Sequence, residues 1–257
     1  MIAGFDPQVL ALLLAAAGVA GWIDAVVGGG GLVLIPVMLL AMPGLPPATA
    51  LGTNKFTAVW GTASAAVTFL RRTDVPRRFL AAAVPLALVF SGLGAAAAAL
   101  ISTEWMRPIV LVLLLAVGLW VTLRKDFGGG GRSPSPRTAR LGLLAATAIA
   151  FYDGIFGPGT GTFLIMAFTA LVTGDFLRSA AMAKVVNLAT NIGAITVFAI
   201  GGHVVFAVGA LLAVANVAGA QLGARMAINR GSGFVRVALL VVVVVMVAKL
   251  GWETVSG

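Results

Sequence analysis

Long apolar runs alternate with short polar ones along this chain. The first run covers residues 9–42 and is interrupted by Gly28, Gly29, Gly30 and Gly31. Its 34 residues would make a helix of roughly 51 Å at about 1.5 Å per residue, too long for a hydrocarbon core of about 30 Å. The run must bend or break, and the four glycines predict where. A Pro-rich turn at 42–47 follows. Helices are predicted over 48–70, 79–101 and 108–123, separated by a basic loop at 71–78 and a turn at 102–107. Residues 124–140 are rich in Gly, Ser and Pro and carry five cations, which predicts a flexible linker.

The second half repeats the plan. A run over 141–172 is broken at 157–161, and a turn at 173–178 follows. Helices are predicted over 179–200, 204–224 and 234–250, with a tight turn at 201–203 and a basic loop at 225–233. An ungapped offset of 129 residues superposes the halves. It pairs Asp24 with Asp153, Gly28 with Gly157, Gly30 with Gly159, Lys55 with Lys184, Ala65 with Ala194 and Phe69 with Phe198. Glycine matches alone carry little weight. Two rare charges repeating in one register within apolar runs carry much more.

Composition narrows the class. The 257 residues are 60% hydrophobic and only 10% charged, with a mean hydropathy of +1.09, where a soluble domain would be about a quarter charged. A polytopic membrane protein follows. The net charge of +9 does not point to nucleic acid, because the cations fall in short loops between apolar runs. Placing the loops 71–78, 124–140 and 225–236 in the cytoplasm, and with them by parity the turn 173–178, puts thirteen of the seventeen Lys and Arg inside, with only Arg107 and Lys249 outside and Lys55 and Lys184 within the membrane. Parity then makes 141–172 a hairpin entering from inside and 9–42 one entering from outside. The expected architecture is all-α and helical: two inverted-topology repeats, 1–123 and 141–257, joined by a cytoplasmic linker at 124–140. Each repeat has a glycine-broken re-entrant or bent hairpin followed by three spanning helices. No basic segment precedes the first run, so it is expected to stay in the mature protein.

Inverted repeats whose broken helices meet inside the membrane are an architecture of secondary transporters. The second arm of each hairpin begins with unpaired N–H groups that carry partial positive charge. Glycine lets a ligand reach that backbone, so two such ends would cradle an anion. This marks Gly29, Gly30 and Gly31, and Gly159, Thr160, Gly161 and Thr162, as candidate substrate-binding residues. Tight helix packing is the competing reading of these small residues. Lys55 and Lys184 either snorkel to the interface or point inward at the anion. Lys184, Asn187 and Asn191 share one helix face, and Asn54, Thr57, Gly61, Ser64 and Thr68 form a similar stripe. Asn54, Asn187 and Asn191 join the candidate site on that basis. Asp24 and Asp153 sit one turn before each break. They are candidates for proton coupling, or for ion pairs with Lys55 or Lys184 that hold the tips. Trp22, Trp60, Trp105, Trp120 and Trp252 read as interfacial anchors.

The stretch Gly21-Trp22-Ile23-Asp24-Ala25-Val26-Val27-Gly28-Gly29-Gly30-Gly31, then Gly52-Thr53-Asn54-Lys55, resembles the sulfite exporter TauE/SafE family. So does Asp153-Gly154-Ile155-Phe156-Gly157-Pro158-Gly159-Thr160-Gly161-Thr162. The resemblance covers essentially the whole chain. It implies a multi-pass transporter in a bacterial inner membrane for a sulfur-containing anion: sulfite, thiosulfate, or an organosulfonate such as taurine or sulfoacetate. The expected function is proton-coupled export by alternating access. A channel with the same site, or an importer of a related anion such as thiosulfate, is the alternative. The expected partners are the bilayer and a small anion, with a homodimer as candidate assembly. Neither cofactor nor metal is expected. Cysteine is absent, His203 is the single histidine, and the glycine runs fit neither a dinucleotide fingerprint nor a phosphate-binding P-loop, which argues against an enzyme.

Overall fold

A computed structural model describes the backbone of residues 6–101 and 135–256, and side chains as far as Phe234 apart from Ala99 and Ser232. The helix expected at 108–123, the turn before it and most of the linker lie outside the described residues. Every regular element described is helical.

Helix α1 (Pro7–Val27) starts on Asp6, whose carboxylate accepts from the Gln8 N–H at 2.8 Å, with Pro7 in the first turn. It stops at Gly28, where φ is 86°. Only glycine adopts that conformation readily. Helix α2 (Gly31–Ala41) completes the first hairpin. Helix α3 (Pro47–Leu70) and helix α4 (Arg77–Ala99) follow. Helix α5 (Pro136–Ile155) begins inside the expected linker. Ser135 and Thr138 form a capping box and Pro136 presets the first turn, so Arg137 and Arg140 are helical. Helix α6 (Thr160–Phe168) runs into a single π-helical turn (Thr169–Thr173) that ends at Gly174. Helix α7 (Phe176–Ile200) is capped by Asp175, which accepts from the Arg178 N–H at 2.6 Å.

Residues 225–230 of the basic loop expected at 225–233 are instead helical, as part of helix α8 (Phe206–Ser256), which a non-helical Gly231 divides in two. Residues 225–230 contain no Gly or Pro, and long cationic side chains favour helix. The break comes at Gly231, with φ 69° and ψ −167°. Trp22 has a packing role besides the one its sequence position suggests. It packs edge-to-face on Phe234 at 6.2 Å, and its ring N–H points at the Met226 sulfur at 3.3 Å. Trp22 is therefore a contact between α1 and α8.

The packing follows the 129-residue offset. α1 lies on α8 as α5 lies on α4, α3 lies on α8 as α7 lies on α4, and α3 packs on α7. Gly94 meets the Phe151 carbonyl and Gly154, and Gly223 meets the Trp22 carbonyl and Ala25. Each residue in the first contact is 129 positions from its counterpart in the second.

The two ends of the bundle differ in charge. One apolar cluster includes Phe69, Val75, Leu80, Val172 and Ala227, with Leu143, Phe176 and Ile228 against it. The basic segments at 71–78, 137–140 and 225–230 all adjoin this cluster. The turns at 42–46 and 201–204 adjoin two other clusters, around Leu39, Ala98 and Phe198 and around Leu13, Met38 and Val208. Among the described residues, four helices are long and apolar enough to cross a membrane: Pro7–Val27, Arg77–Ala98, Phe176–Ile200 and Phe206–Gly231. α3 has 24 residues, but its buried face is polar.

A Cβ at Gly94 or Gly223 would overlap a neighbouring helix backbone, and nothing lies near Gly44. Gly94→Val and Gly223→Val should each destabilise the protein by about 1–3 kcal/mol or more. Thermal unfolding in detergent should show a lower midpoint for both and an unchanged one for Gly44→Ala.

Candidate functional site: crossed ion pairs at two hairpin tips

The tips of the two hairpins touch through backbone. Gly161 N–H donates to the Gly28 carbonyl at 3.0 Å, and the Thr162 hydroxyl donates to the Val27 carbonyl at 2.9 Å. The last carbonyls of α1 lack partners within their own helix, and the first N–H groups of α6 do too. One orphan of each set meets the other where Gly161 N–H bonds the Gly28 carbonyl, and the two dipole ends are in favourable contact. A Cβ at Gly28 or Gly161 would overlap the facing backbone. The second tip is braced internally. Tyr152 donates to the Pro158 carbonyl at 2.8 Å, and the Thr160 hydroxyl to the Gly157 carbonyl at 2.7 Å.

Both lysines reach these tips, and neither snorkels. Lys55 on α3 bonds Asp153 on α5 at 2.5 Å, with the two side chains 3% and 2% exposed. Its ammonium lies directly over Gly157, where φ is 96°. Lys184 on α7 is fully buried. It donates to the backbone carbonyl of Asp24 and stands 3.4 Å from the Asp24 carboxylate. The pairing is crossed: each lysine serves the aspartate of the other half. Thr62 donates to the Asp24 carboxylate at 3.3 Å, and the Asn191 amide lies 3.5 Å from the Thr62 hydroxyl. Thr62 and Asn191 are themselves 129 residues apart, so this contact joins equivalent positions.

The two helix N-termini are not equivalent, contrary to the sequence expectation of two bare ends. At α6, Gly159 is the N-cap, while Gly161 and Thr162 donate to α1 and Thr160 to its own tip. At α2, Gly30 is the N-cap and packs on the Ala20 carbonyl and the Asp24 side chain. No backbone acceptor meets the N–H of Gly29, Gly30 or Gly31 among the described residues. Asn54 stands beside this free end, its side-chain amide 3.5 Å from where a Gly31 Cβ would lie. Asn54 is 7% exposed and makes no side-chain hydrogen bond among the described residues. Asn187 is buried and accepts from Thr190 at 3.3 Å.

The rest of the first polar stripe binds helices together. Thr57 bonds the Gly209 carbonyl, and Gln221 bonds Ser64 and Thr68. Sequence reasoning missed Thr62, Tyr152, Asn216 and Gln221. The repeat offset from Asn191 would have found Thr62. Asn216 donates to the Ala17 carbonyl at 3.0 Å with its other amide atom over Gly61, a contact between distant helices with no local pattern.

The sequence profile described as Sulfite exporter TauE/SafE matches residues 13–250. The chain belongs to this family. It is 35% identical over 246 residues to a probable membrane transporter protein of Haemophilus influenzae, covering 96% of each chain. It is 34% identical over 249 residues to the probable membrane transporter protein YfcA of Escherichia coli, covering 97% of this chain and 92% of that one. No solved structure matches it. The protein is thus a multi-pass membrane transporter of the TauE/SafE family, and the hairpin tips and crossed pairs are features of that transporter's interior.

Breaking one buried pair leaves an uncompensated charge, which typically costs about 3–5 kcal/mol, whereas replacing both partners by apolar groups is often close to neutral. Lys55→Met should therefore lower thermal stability sharply. The double variant Lys55→Met with Asp153→Leu should recover most of the loss, and a detergent melting series of the two proteins checks this.

Proposed function

We propose that this TauE/SafE transporter exports a sulfur-containing oxyanion, sulfite or an organosulfonate such as taurine or sulfoacetate, across a bacterial inner membrane. It works as a secondary transporter, by alternating access around a site at the hairpin tips and coupled to protons. Substrate contacts come from Gly29, Gly30, Gly31, Asn54 and Lys55 in the first half and from Gly159, Thr160, Gly161, Thr162, Lys184, Asn187 and Asn191 in the second. Asp24 and Asp153 carry the coupling.

The observation that carries this reading is the free N-terminus of α2 beside Asn54, a residue 7% exposed whose side-chain amide makes no hydrogen bond among the described residues. Helix N-termini bind oxyanions through their N–H groups and partial positive charge. An amide NH2 adds two more donors. Lys55 is the next residue on α3 and Lys184 reaches the same tips, so two full positive charges lie near the donors. The docked end of α6 is read as the gate: the Gly161 and Thr162 donors turn to the substrate when the tips part. Gathering of the cationic segments at one end of the bundle supports an inner-membrane orientation with that end in the cytoplasm.

A thermal-shift screen of the purified protein against sulfite, thiosulfate, taurine and sulfoacetate tests the binding claim. Ligand at 100 times its Kd should stabilise by about 2.7 kcal/mol. Lys55→Ala and Lys184→Ala should weaken the active anion at least tenfold in variants that still fold. Unchanged affinity in both rejects the site. In proteoliposomes, uptake should saturate with anion concentration. Unsaturable conductance would make the protein a channel.

A further inference from the structure

Two ammonium groups and two carboxylates form a neutral quartet around the tips. Among the described residues, every other titratable group except Tyr152 stays away from it. α2 and α6 carry none. On α3 the one such group is Lys55 itself. α4 has only Arg77 and Arg78, in its first turn. α5 adds Arg137 and Arg140 at its start, and Tyr152 beside Asp153, with its hydroxyl held by the Pro158 carbonyl. α7 adds Arg178 near its start. In the described side chains of α8 the charges are Arg225 and Arg230, next to Phe234.

Among the described residues, an anion entering this site has no spare cation to meet. It must take a lysine from an aspartate. The displaced carboxylate, buried at Asp153 and 16% exposed at Asp24, would then lack its cation and lie close to a second negative charge, each of which is unfavourable. Uptake of a proton by that carboxylate removes both penalties and restores neutrality. Anion and proton thus bind with positive linkage, and the linkage is reciprocal. Exchange transport needs the opposite, a proton and an anion that exclude each other. The quartet contains no group through which an added proton repels an anion.

Building on the anion site proposed above, we infer that the protein is an electroneutral symporter in which the anion and its neutralising protons cross together, in the same direction, on Asp24 and Asp153. Two carboxylates set the capacity at two protons. A dianion takes up two and a monoanion one. A zwitterion such as taurine takes up none, because it brings its own ammonium group. Export then removes an acid from the cell together with its protons. It runs on the outward gradient of the anion, not on proton entry.

Calorimetric titration of the full-length protein in detergent between pH 5.5 and 8 tests this with thiosulfate, methanesulfonate and taurine, none of which changes charge in most of that range. Each coupled proton changes affinity about tenfold per pH unit. As pH falls, affinity should rise up to a hundredfold per unit for thiosulfate, up to tenfold for methanesulfonate, and not at all for taurine. Asp24→Asn and Asp153→Asn should each remove one proton from the thiosulfate slope. Binding of thiosulfate or methanesulfonate that is flat or weakens on acidification overturns the symport inference and leaves the anion site standing. So does a taurine slope equal to that of thiosulfate, or a thiosulfate slope unchanged in both variants. Failure of all three probes and of the four screened anions to bind overturns the anion site and the inference with it. The wild-type titration decides the sign even where a variant does not fold.

Discussion

A charge buried in a low-dielectric interior must find a partner, and in this protein that requirement joins the two halves. Neither lysine pairs within its own half. Lys55 reaches across to Asp153, and Lys184 to Asp24. The crossing fixes which helices stand face to face. α3 and α7 must bring their polar faces to the middle of the bundle, and the hairpins must carry their tips to the same place. The outer helices α4 and α8 then pack round this centre, with small residues letting helix backbones approach at Gly94 and Gly223.

Much of this could be read from sequence, because membrane helices advertise themselves by hydropathy and because the repeat doubled each signal. Gly28 and Gly157 marked the breaks, and both have positive φ. The offset that aligned Asp24 with Asp153 and Lys55 with Lys184 also relates the helix contacts. Element ends were less legible where a local cap outweighed composition. Ser135 and Pro136 start a helix inside a stretch whose glycine and serine content predicted a linker. Arg225 and Arg230 signalled a loop by charge, yet long cationic side chains sit comfortably on a helix at a membrane surface.

Within the site, residue types were legible and partners were not. Lysine, aspartate and asparagine stood out against an apolar background. Whether Lys55 met its own aspartate or the other one depended on how the halves dock. The same holds for the hydroxyl of Thr162, which suits a ligand or a carbonyl equally well. Docking gave it the Val27 carbonyl. Asn54 and Ser64 looked alike in one stripe, and the neighbouring α8 separates them, since Gln221 takes Ser64 while among the described residues no group bonds the Asn54 side chain.

The crossed pairs also bear on ancestry. A half-length chain with one aspartate and one lysine would complete the same quartet by associating with a second copy of itself. Such a pair of identical subunits would be bound to symmetry: whatever one tip did, the other would do as well. Joining the copies in one polypeptide lifts that restriction. At the positions of Gly161 and Thr162 the first half has Leu32 and Val33, so one tip can hold the other by hydrogen bonds while its own helix end stays free. Division of labour between two once-equal ends is what duplication within a single chain makes possible.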